Sequence, residues 1–273
     1  MASFDNWVLI IPCILLAAYK NLPFMWFIRF LRALITRLFI TPITHKELNP
    51  ECLFLPAIHR TRSPLTECDY NIHKSNSTYF TDLDISRGNL SLLLFSQRLS
   101  FRPTPTTAAM ILSGVQIVFR REIKPYQPYE VWSRVLSWDE KWIYIVSHFV
   151  KRGAFPHRKF LLQPGIPGDR TRPKTSDDQS PEKQVFASAV SRYVFKQGRK
   201  TFPPEQMLVE CGLLPSKNSL PAGEGLATWS AIEARRKRDL EAAQLKIGWD
   251  AVHNTFDGDA TRVLGRYTDL LWR

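Results

Sequence analysis

Cysteine is scarce in this chain of 273 residues, and its four copies show no pairing pattern. Cys13, Cys52, Cys68 and Cys211 form no C-x-x-C motif, and no histidine cluster stands at metal-site spacing. The sequence also lacks internal repeats and glycine-rich phosphate loops of the Walker or Rossmann type. We therefore expect reduced, mostly buried thiols and neither a metal nor a cofactor.

Acidic residues are few as well. The chain has 25 Asp and Glu against 37 Lys and Arg, which gives a formal charge of +12. A basic chain favours a negatively charged partner such as nucleic acid, anionic lipid or coenzyme A. Its compact basic cluster is Arg235–Arg238, inside a stretch whose composition suits an amphipathic helix. Because no nucleic-acid motif or aromatic platform accompanies this cluster, we interpret it as a solvated helix face and expect no nucleic acid partner.

Long hydrophobic runs are missing too. The uncharged run Trp7–Tyr19 is shorter than the roughly 20 residues that span a bilayer comfortably. The next stretch, Leu22–Ile40, mixes bulky apolar residues with three arginines, which is typical of a basic amphipathic helix at an interface. Together they predict an N-terminal membrane anchor over residues 1–45, formed by a transmembrane or interfacial helix. A cleaved signal peptide fits less well, because the residues before the run include the acidic Asp5 and no basic residue. The other alternative is a helix docked in the core of the fold.

The stretch from Cys68 to Arg87 places a carboxylate, Asp69, just ahead of a helix start. Ser75-Asn76-Ser77-Thr78 is the start signal, and the apolar run after it reaches about Leu99. Backbone N–H groups and the helix dipole make such a terminus a site for an oxyanion. We therefore predict that Asp69 acts as a base or nucleophile. The alternative is a purely structural role in a turn or as a helix cap. Cys68 is a weaker candidate, since no base is arranged beside it.

These residues resemble a motif of the hot-dog-fold thioesterases of the 4-hydroxybenzoyl-CoA thioesterase type. In that motif an Asp precedes H-x-N-N and an aromatic residue that opens the central helix, matched here by Asp69, His73, Asn76 and Tyr79. Ser75 replaces the first Asn of the pair. The chain most resembles the membrane-associated branch with the vertebrate thioesterase-superfamily member 6 and fungal relatives. The resemblance implies an α+β hot-dog fold, an antiparallel sheet wrapped around a long central helix.

The resemblance also implies roles for individual residues. Asp69 would attack the thioester carbonyl or activate water, and the backbone amide near Asn76 would hold the oxyanion. The side chains of Asn76 and His73 would orient the loop. We expect substrate contacts from Tyr79 and Asp82, and also from Arg120 and Arg121, because these arginines stand near a strand end where a carrier phosphate would need cations. Plain surface charges are the alternative for the two arginines. A second hot-dog lineage carries its catalytic carboxylate on the helix, which makes Asp82 and Asp84 alternative candidates for the catalytic residue. In the structural alternative they are acids near the helix start that the helix dipole favours.

Alternation of apolar and polar residues predicts the strands of this sheet. They are expected at Ala57–Thr66, as an edge strand, and at Met110–Arg121, Tyr129–Trp138, Trp142–Val150 and Val185–Phe195. The polar, Pro- and Gly-rich stretch within residues 153–184 predicts a mobile insertion. We therefore divide the chain into the anchor at 1–45, a hot-dog domain at 46–215 and a C-terminal helical extension at 216–273.

The location follows from charge and from a sequon. Basic residues follow the first apolar run, so the positive-inside rule places the folded domain in the cytosol. Asn76-Ser77-Thr78 is a glycosylation sequon, and a glycan there would block the site in a lumenal protein. We expect a single N-terminal anchor in the endoplasmic reticulum membrane, with the domain facing the cytosol.

The predicted function is hydrolysis of fatty or polyketide acyl thioesters at a membrane surface, in fungal secondary metabolism. The expected partners are acyl-CoA or an acyl-carrier-protein thioester, membrane lipid and a second copy of the chain, since hot-dog proteins usually form homodimers. The alternative is a non-catalytic, membrane-tethered acyl-binding or scaffold protein of the same fold, which the Ser75 replacement and the insertion favour.

Overall fold

The computed structural model describes residues 18–43, 47–100, 104–163, 165, 168, 184–215, 224–258 and 261–270. A long helix packs against one face of a largely antiparallel sheet, which is the expected α+β hot-dog arrangement. The helices are α1 Met25–Ile35, α2 Thr78–Phe95, α3 Pro204–Glu210, α4 Glu224–Ala243 and α5 Gly248–His253. The strands are β1 Ala57–Arg62, β2 Ala109–Phe119, β3 Pro128–Trp138, β4 Ile143–Lys151, β5 Lys159–Phe160, β6 Val185–Gln197, β7 Lys200–Phe202, β8 Arg262–Val263 and β9 Gly265–Thr268.

The main sheet has the strand order β2-β6-β4-β3-β1-β9, and β7 adds to β6. Its neighbouring strands pair antiparallel except β1 and β9, which run parallel. The prediction of β1 as an edge strand is therefore wrong, because β9 pairs along its outer side. The four other predicted strands are confirmed to within about two residues at their ends, the accuracy expected of such boundaries.

The central helix α2 is buried on more than one side. Its predicted stripe of Tyr79, Leu83, Leu90 and Leu94 is fully inside, against the sheet. Ile85, on another side of the helix, is also 0 % exposed because α1 covers it. The buried residues of α2 also include polar ones such as Asp82, Arg87 and Asn89, so the fold encloses this helix although it is not apolar all round.

The N-terminal helix α1 continues through a π-helical turn at Thr36–Ile40 and packs on α2. The sequence predicted a basic amphipathic helix at an interface here, and in the structure the arginines of this helix lie on the side that faces the protein. Arg29 and Arg37 point into the protein, at 0 % and 1 % exposure. They do so because acceptors inside the fold, on α2 and near the C-terminus, bind their guanidinium groups.

Membrane crossing has no support in the described part of the chain, where no helix combines enough length and apolar character to span a bilayer. The predicted apolar run Trp7–Tyr19 lies outside the described residues except for its last two positions. Most of the predicted insertion, at 166–167 and 169–183, also lies outside them.

The C-terminal segment, predicted as a helical extension, also completes the domain. Helices α4 and α5 cover the outer face of the sheet, where Ala243 and Val252 pack on Leu136, Val146 and Val190. Strand β9 then joins the main sheet beside β1, and β8 pairs with β5. Residues of this segment are therefore part of the core that supports the site.

Candidate active site

The predicted catalytic carboxylate lies on a tight turn ahead of α2. The Asp69 backbone N–H donates to the His73 carbonyl at 3.0 Å, and the Ile72 N–H donates to the Asp69 carbonyl at 3.0 Å. Asp69 Oδ1 accepts the Asn71 N–H at 2.9 Å, an Asx turn that fixes the carboxylate. The flanking residues Cys68 and Lys74 form an antiparallel bridge that closes the turn. The side chain of Asp69 stays 26 % exposed, so a substrate can reach it.

His73 stands beside this carboxylate. Its Nδ1 lies 3.5 Å from Asp69 Oδ1, and its side chain is 27 % exposed. The structure thus brings together two of the predicted catalytic residues. An imidazole at this distance can fix the direction of the carboxylate and, when protonated, can stabilise its negative charge.

The start of α2 lies next in the chain. Ser77 is its N-cap residue, and no side chain caps it. The Ser75 N–H donates to the Glu67 carbonyl at 2.8 Å, and Thr78 Oγ1 donates to the Ser75 carbonyl at 2.7 Å, so this start is held against the Asp69 loop. Asn76 lies exposed one residue before Ser77. The helix terminus therefore presents its positive end beside Asn76, which suits the predicted oxyanion site.

A buried charge cluster lies beneath the turn; we use this name for the side chains of Lys20, Arg29, Glu67, Lys74, Asp82 and Asp269. Lys74 Nζ lies 2.7 Å from Glu67 Oε2 and 2.9 Å from Asp82 Oδ2. Lys20 Nζ reaches the same two acids, at 3.3 Å from Glu67 Oε2 and 3.0 Å from Asp82 Oδ1. Each of these side chains is at most 3 % exposed. Because Glu67 and Lys74 flank the turn, the cluster fixes both of its ends.

The far side of the cluster joins the N-terminal helix to the last strand. Arg29 Nη2 lies 2.8 Å from Asp82 Oδ1 and 2.6 Å from Asp269 Oδ2. Its Nε donates to Asp269 Oδ1 at 3.0 Å, so Arg29 binds the Asp269 carboxylate through two nitrogens. Thr61 on β1 donates to Asp269 Oδ2 at 2.9 Å, and the Tyr129 hydroxyl donates to Asp82 Oδ2. Three cations and three carboxylates thus neutralise one another inside the fold.

The cluster sets the protonation of its members. Burial alone would raise the pKa of Asp82, but Lys20, Lys74 and Arg29 together hold that pKa well below its usual range. Burial lowers the pKa of Lys20 more than the carboxylates raise it, whereas for Lys74 the attraction of Asp82 and Glu67 outweighs burial and raises the pKa. The pKa of the Tyr129 hydroxyl is raised well above its usual value by burial and by Asp82.

Asp82 is therefore placed differently from its prediction as a substrate-binding or alternative catalytic residue. It is 0 % exposed, and both carboxylate oxygens bind members of the cluster or Tyr129. This placement gives it an ion-pair role under the Asp69 loop. Asp84, two residues on, pairs with Arg87 at 2.5 Å and leaves its own side chain 40 % exposed.

The remaining predicted residues lie around the same end of α2. Tyr79 is 2 % exposed, with its ring 4.9 Å from that of Phe119 and 4.8 Å from that of Phe149. Burial raises its pKa, and Asp82 raises it further. Arg120 and Arg121 are exposed and follow β2, where Arg120 pairs with Asp250. The substrate contacts predicted for these three residues stay predictions.

The loop after β2 is bonded to the Asp69 turn, because the Lys74 N–H donates to the Ile123 carbonyl at 2.8 Å. Arg120 and Arg121 therefore lie within a few residues of a strand end that touches the candidate site.

Sequence reasoning missed most of the cluster. Lys20 follows the predicted apolar run, Arg29 belongs to the predicted basic amphipathic helix and Asp269 lies in the predicted C-terminal extension. Nothing in the local pattern connects them, because Arg29 and Asp269 are 240 residues apart. The one legible signal is that acids and bases alternate around the motif, at Glu67, Lys74 and Asp82.

The chain is similar to several known proteins in sequence and in structure. The sequence model of the family described as "Thioesterase-like superfamily" matches residues 63–210. The thioesterase poxG of Penicillium oxalicum is 40 % identical over 273 aligned residues, covering 92 % of this chain and 87 % of the relative. The probable thioesterase atnL of Emericella nidulans is 37 % identical, covering 94 % and 90 %. Among solved structures, the probable thioesterase YbaW of Escherichia coli is similar at a TM-score of 0.38 and 15 % identity, over 58 % of this chain and 96 % of that one.

Proposed function

Given that this chain belongs to the thioesterase-like superfamily and is a thioesterase, we propose that Asp69 carries the hydrolysis of its acyl thioester. The observation behind this proposal is the fixed, partly exposed carboxylate directly ahead of the uncapped start of α2. A carboxylate and an oxyanion site are the two elements that thioester hydrolysis needs.

The reaction converts a thioester and water into a carboxylic acid and a thiol. In one route Asp69 removes a proton from water, and the water oxygen attacks the carbonyl carbon. In the other, an Asp69 oxygen attacks that carbon itself, and water later cleaves the acyl-aspartate anhydride. In both routes the C–S bond breaks and the thiolate takes up a proton. The helix terminus near Asn76 stabilises the oxyanion that forms, and His73 keeps the carboxylate in its direction.

The substrate we propose is a fatty or polyketide acyl group carried by coenzyme A or by a carrier protein, in fungal secondary metabolism. The fungal thioesterases among the relatives support this choice. Both carriers end in a phosphopantetheine arm, whose phosphate suits Arg120 and Arg121 beside the site.

A homodimer is part of the proposal. Within the described residues β2 pairs with β6 on one side, and its other side is open. Ile111 and Leu112 on this strand are 48 % and 39 % exposed, which is unusual for an apolar pair on a sheet edge. A second copy paired along β2 would cover them and place a wall opposite the start of α2.

We further propose that the enzyme works at the endoplasmic reticulum membrane, with its domain in the cytosol. The apolar run Trp7–Tyr19 and the basic residues after it support this location.

The test measures thiol release from short to long acyl-CoAs and from acyl-carrier-protein thioesters by the whole chain and by its Asp69→Asn variant. The chain is kept whole because Lys20 and Arg29 complete the buried charge cluster. We expect the variant to lose at least about a hundredfold in kcat, the size of a positioned acid–base group.

The matched control is Asp84→Asn, which removes a nearby, partly exposed carboxylate of α2. It should keep activity within about threefold of the parent. Equal losses in both variants would refute the role of Asp69. A folded parent that binds acyl-CoA but releases no thiol from either carrier would favour the non-catalytic acyl-binding alternative.

A further inference from the structure

The outer side of α1 and its π-helical continuation is an uninterrupted apolar surface. Six side chains at helical spacing form it, which we call the apolar face: Phe24, Phe27, Leu31, Ile35, Leu38 and Phe39. Phe24 and Phe39, at its two ends, are each 76 % exposed. Scattered apolar residues on a surface are ordinary, but a continuous stripe of this length marks an interaction surface.

All basic side chains of this helix lie on the opposite side. Arg29 binds Asp82 and Asp269, and Arg37 donates to Asn89 Oδ1 at 2.9 Å. Arg32 donates to the Tyr267 hydroxyl and to the Thr268 carbonyl, at 3.0 and 2.9 Å. The helix has thus turned its charges toward the protein and its apolar residues toward the outside. Covering the apolar face with hydrocarbon would not bury an unpaired charge.

We propose that the apolar face is the docking surface through which the folded enzyme lies on a lipid bilayer. This inference rests on the proposed membrane location. It adds which surface contacts the lipid, how the helix is oriented there and how that surface is connected to the candidate active site. The helix would lie in the plane of the interface with its apolar side in the acyl boundary. The sequence ahead of it fits this occupant, because the uncharged run Trp7–Tyr19 ends five residues before Phe24.

A second protein is the less suitable occupant. Interfaces between proteins combine an apolar centre with a polar rim that hydrogen-bonds to the partner. The charged groups of α1 that would form such a rim are already bound inside the fold. A bilayer needs no such rim on the inserted side, since its hydrocarbon offers no hydrogen bonds.

The docked face is joined rigidly to the active site. Lys20, five residues before α1, binds Glu67 and Asp82, and Arg29 within α1 binds Asp82 as well. Glu67 lies two residues before Asp69. A bilayer that holds the apolar face therefore fixes the height and direction of the Asp69 turn relative to the lipid surface.

The test places an environment-sensitive fluorophore on the whole chain at Leu31→Cys and, as a matched control, at Ile247→Cys. Ile247 is exposed to a similar extent, at 53 % against 52 %, but lies between α4 and α5. The parent chain is labelled in parallel to subtract its own thiols. With vesicles of zwitterionic and anionic lipid, we expect a blue shift and quenching by lipid-borne quenchers at position 31 and neither at 247.

Charge substitution provides the second measurement. Phe27→Glu should weaken binding to the same vesicles at least about tenfold, because a carboxylate replaces a ring in the apolar boundary. Ile247→Glu should leave vesicle binding unchanged. Both variants should keep the turnover of a short, soluble acyl-CoA, which separates a failed docking surface from a failed thioesterase proposal.

Other occupants would overturn the proposal in recognisable ways. A label at position 31 that is shielded without vesicles, in proportion to protein concentration, would mean that a second copy covers the face. Shielding without vesicles at every concentration would mean that another segment of the chain covers it. Vesicle binding with an unquenched label at 31 would assign the membrane contact to a different surface.

Discussion

Asp82 and Asp69 differ in solvent access, and this difference determines whether each carboxylate can take part in chemistry. Both are aspartates near the start of α2, yet Asp69 keeps a solvent path and Asp82 is enclosed by Lys20, Arg29 and Lys74. Enclosure with three cations gives a permanently ionised carboxylate with no capacity to exchange protons near neutral pH. The same residue type thus supplies a chemical group in one place and a structural anchor in the other.

Lys74 is the cation that ties the Asp69 turn to this anchor. We predict that Lys74→Met lowers the free energy of unfolding by about 3–5 kcal/mol, since it leaves Glu67 and Asp82 with one buried cation fewer. Its kcat should fall as well, because the turn loses its attachment. Urea denaturation and thiol release measure the two effects. Lys124→Met, at an exposed lysine, is the control, and a loss below about 1 kcal/mol for Lys74→Met would contradict the anchoring role.

His59 gives the molecule a stability change with pH. It is 0 % exposed, and burial lowers its pKa to about 4, even though Asp269 lies 3.8 Å away and raises it. Between pH 6.5 and 4 the His59 imidazole is protonated in the unfolded chain but stays neutral in the folded chain. The free energy of unfolding therefore falls as pH falls. We expect the parent to lose about 2 kcal/mol from this residue between pH 7 and pH 5.

Chemical denaturation at the two pH values checks this expectation in the parent and in His59→Gln. The variant should show the smaller loss, with the remainder coming from His148, whose pKa burial also lowers. The carboxylates do not interfere, because Asp82 and Asp269 have lowered pKa values and their contribution is lost only below about pH 4. Equal losses in parent and variant would show that His59 does not titrate in this way.

At the scale of elements, the contact between α1 and α2 depends on one glycine. A Cβ at Gly88 would stand 2.8 Å from Phe30 Cε2, which is closer than packed carbon atoms come. Gly88 therefore lets the two helices approach, and Phe30 fills the space. This contact presses α1 onto the cluster formed by Ile85, Ala33 and Tyr267.

We predict that Gly88→Val lowers stability by about 1–3 kcal/mol, because the added methyl groups push the Phe30 ring away. Thermal unfolding measures the loss. Phe30→Ala in the same chain should recover part of it, so the double variant is less destabilised than the sum of the single ones. Strict additivity of the two changes would show that α1 does not press on α2 at this point.

Elements and their residues were largely predictable from the sequence, whereas their orientation was not. Period-two alternation located β2, β3, β4 and β6. Strands β3 and β4 are nevertheless buried on both faces, because α4 and α5 cover the outer side of the sheet. The composition of Leu22–Ile40 predicted an amphipathic helix where α1 lies, but it did not determine which side of the helix faces outward. A stripe of arginines is equally compatible with lipid phosphates and with buried acids, and the deciding acids, Asp82 and Asp269, lie far along the chain.

At the candidate active site, too, the sequence predicted the local motif but not the distant residues that support it. Asp69, His73 and the helix start form a local motif, and the structure places Asp69 and His73 side by side as the motif suggests. Their support comes from Lys20, Arg29 and Asp269, which no local pattern connects with them. Strand β9 escaped notice because four residues, Gly265–Thr268, are too short to show alternation.

At the scale of the whole molecule, the proposed dimer would assemble through the side of β2 that is open within the described residues. We predict that Ile111→Lys converts a dimeric parent into a monomer, because like charges would face each other across the paired strands. Turnover should fall at least about tenfold if the partner forms one wall of the site. Light scattering after size exclusion gives the mass, and thiol release gives the rate.

Ile247→Lys is the control for this prediction, since it adds the same charge at an exposed apolar residue between α4 and α5, away from β2. It should leave both mass and rate unchanged. A parent that is monomeric at micromolar concentration and fully active would rule out assembly through β2 as part of the mechanism.

The pairing of Arg29 with Asp269 has a consequence for how the protein is made. The cation belongs to the first helix and its carboxylate lies 240 residues later, so the pair does not exist while the intervening chain is still being synthesised. Until then Lys20, Arg29 and Lys74 face only Glu67 and Asp82, with one positive charge in excess. The buried charge cluster can therefore be completed only after residues near 269 have been synthesised.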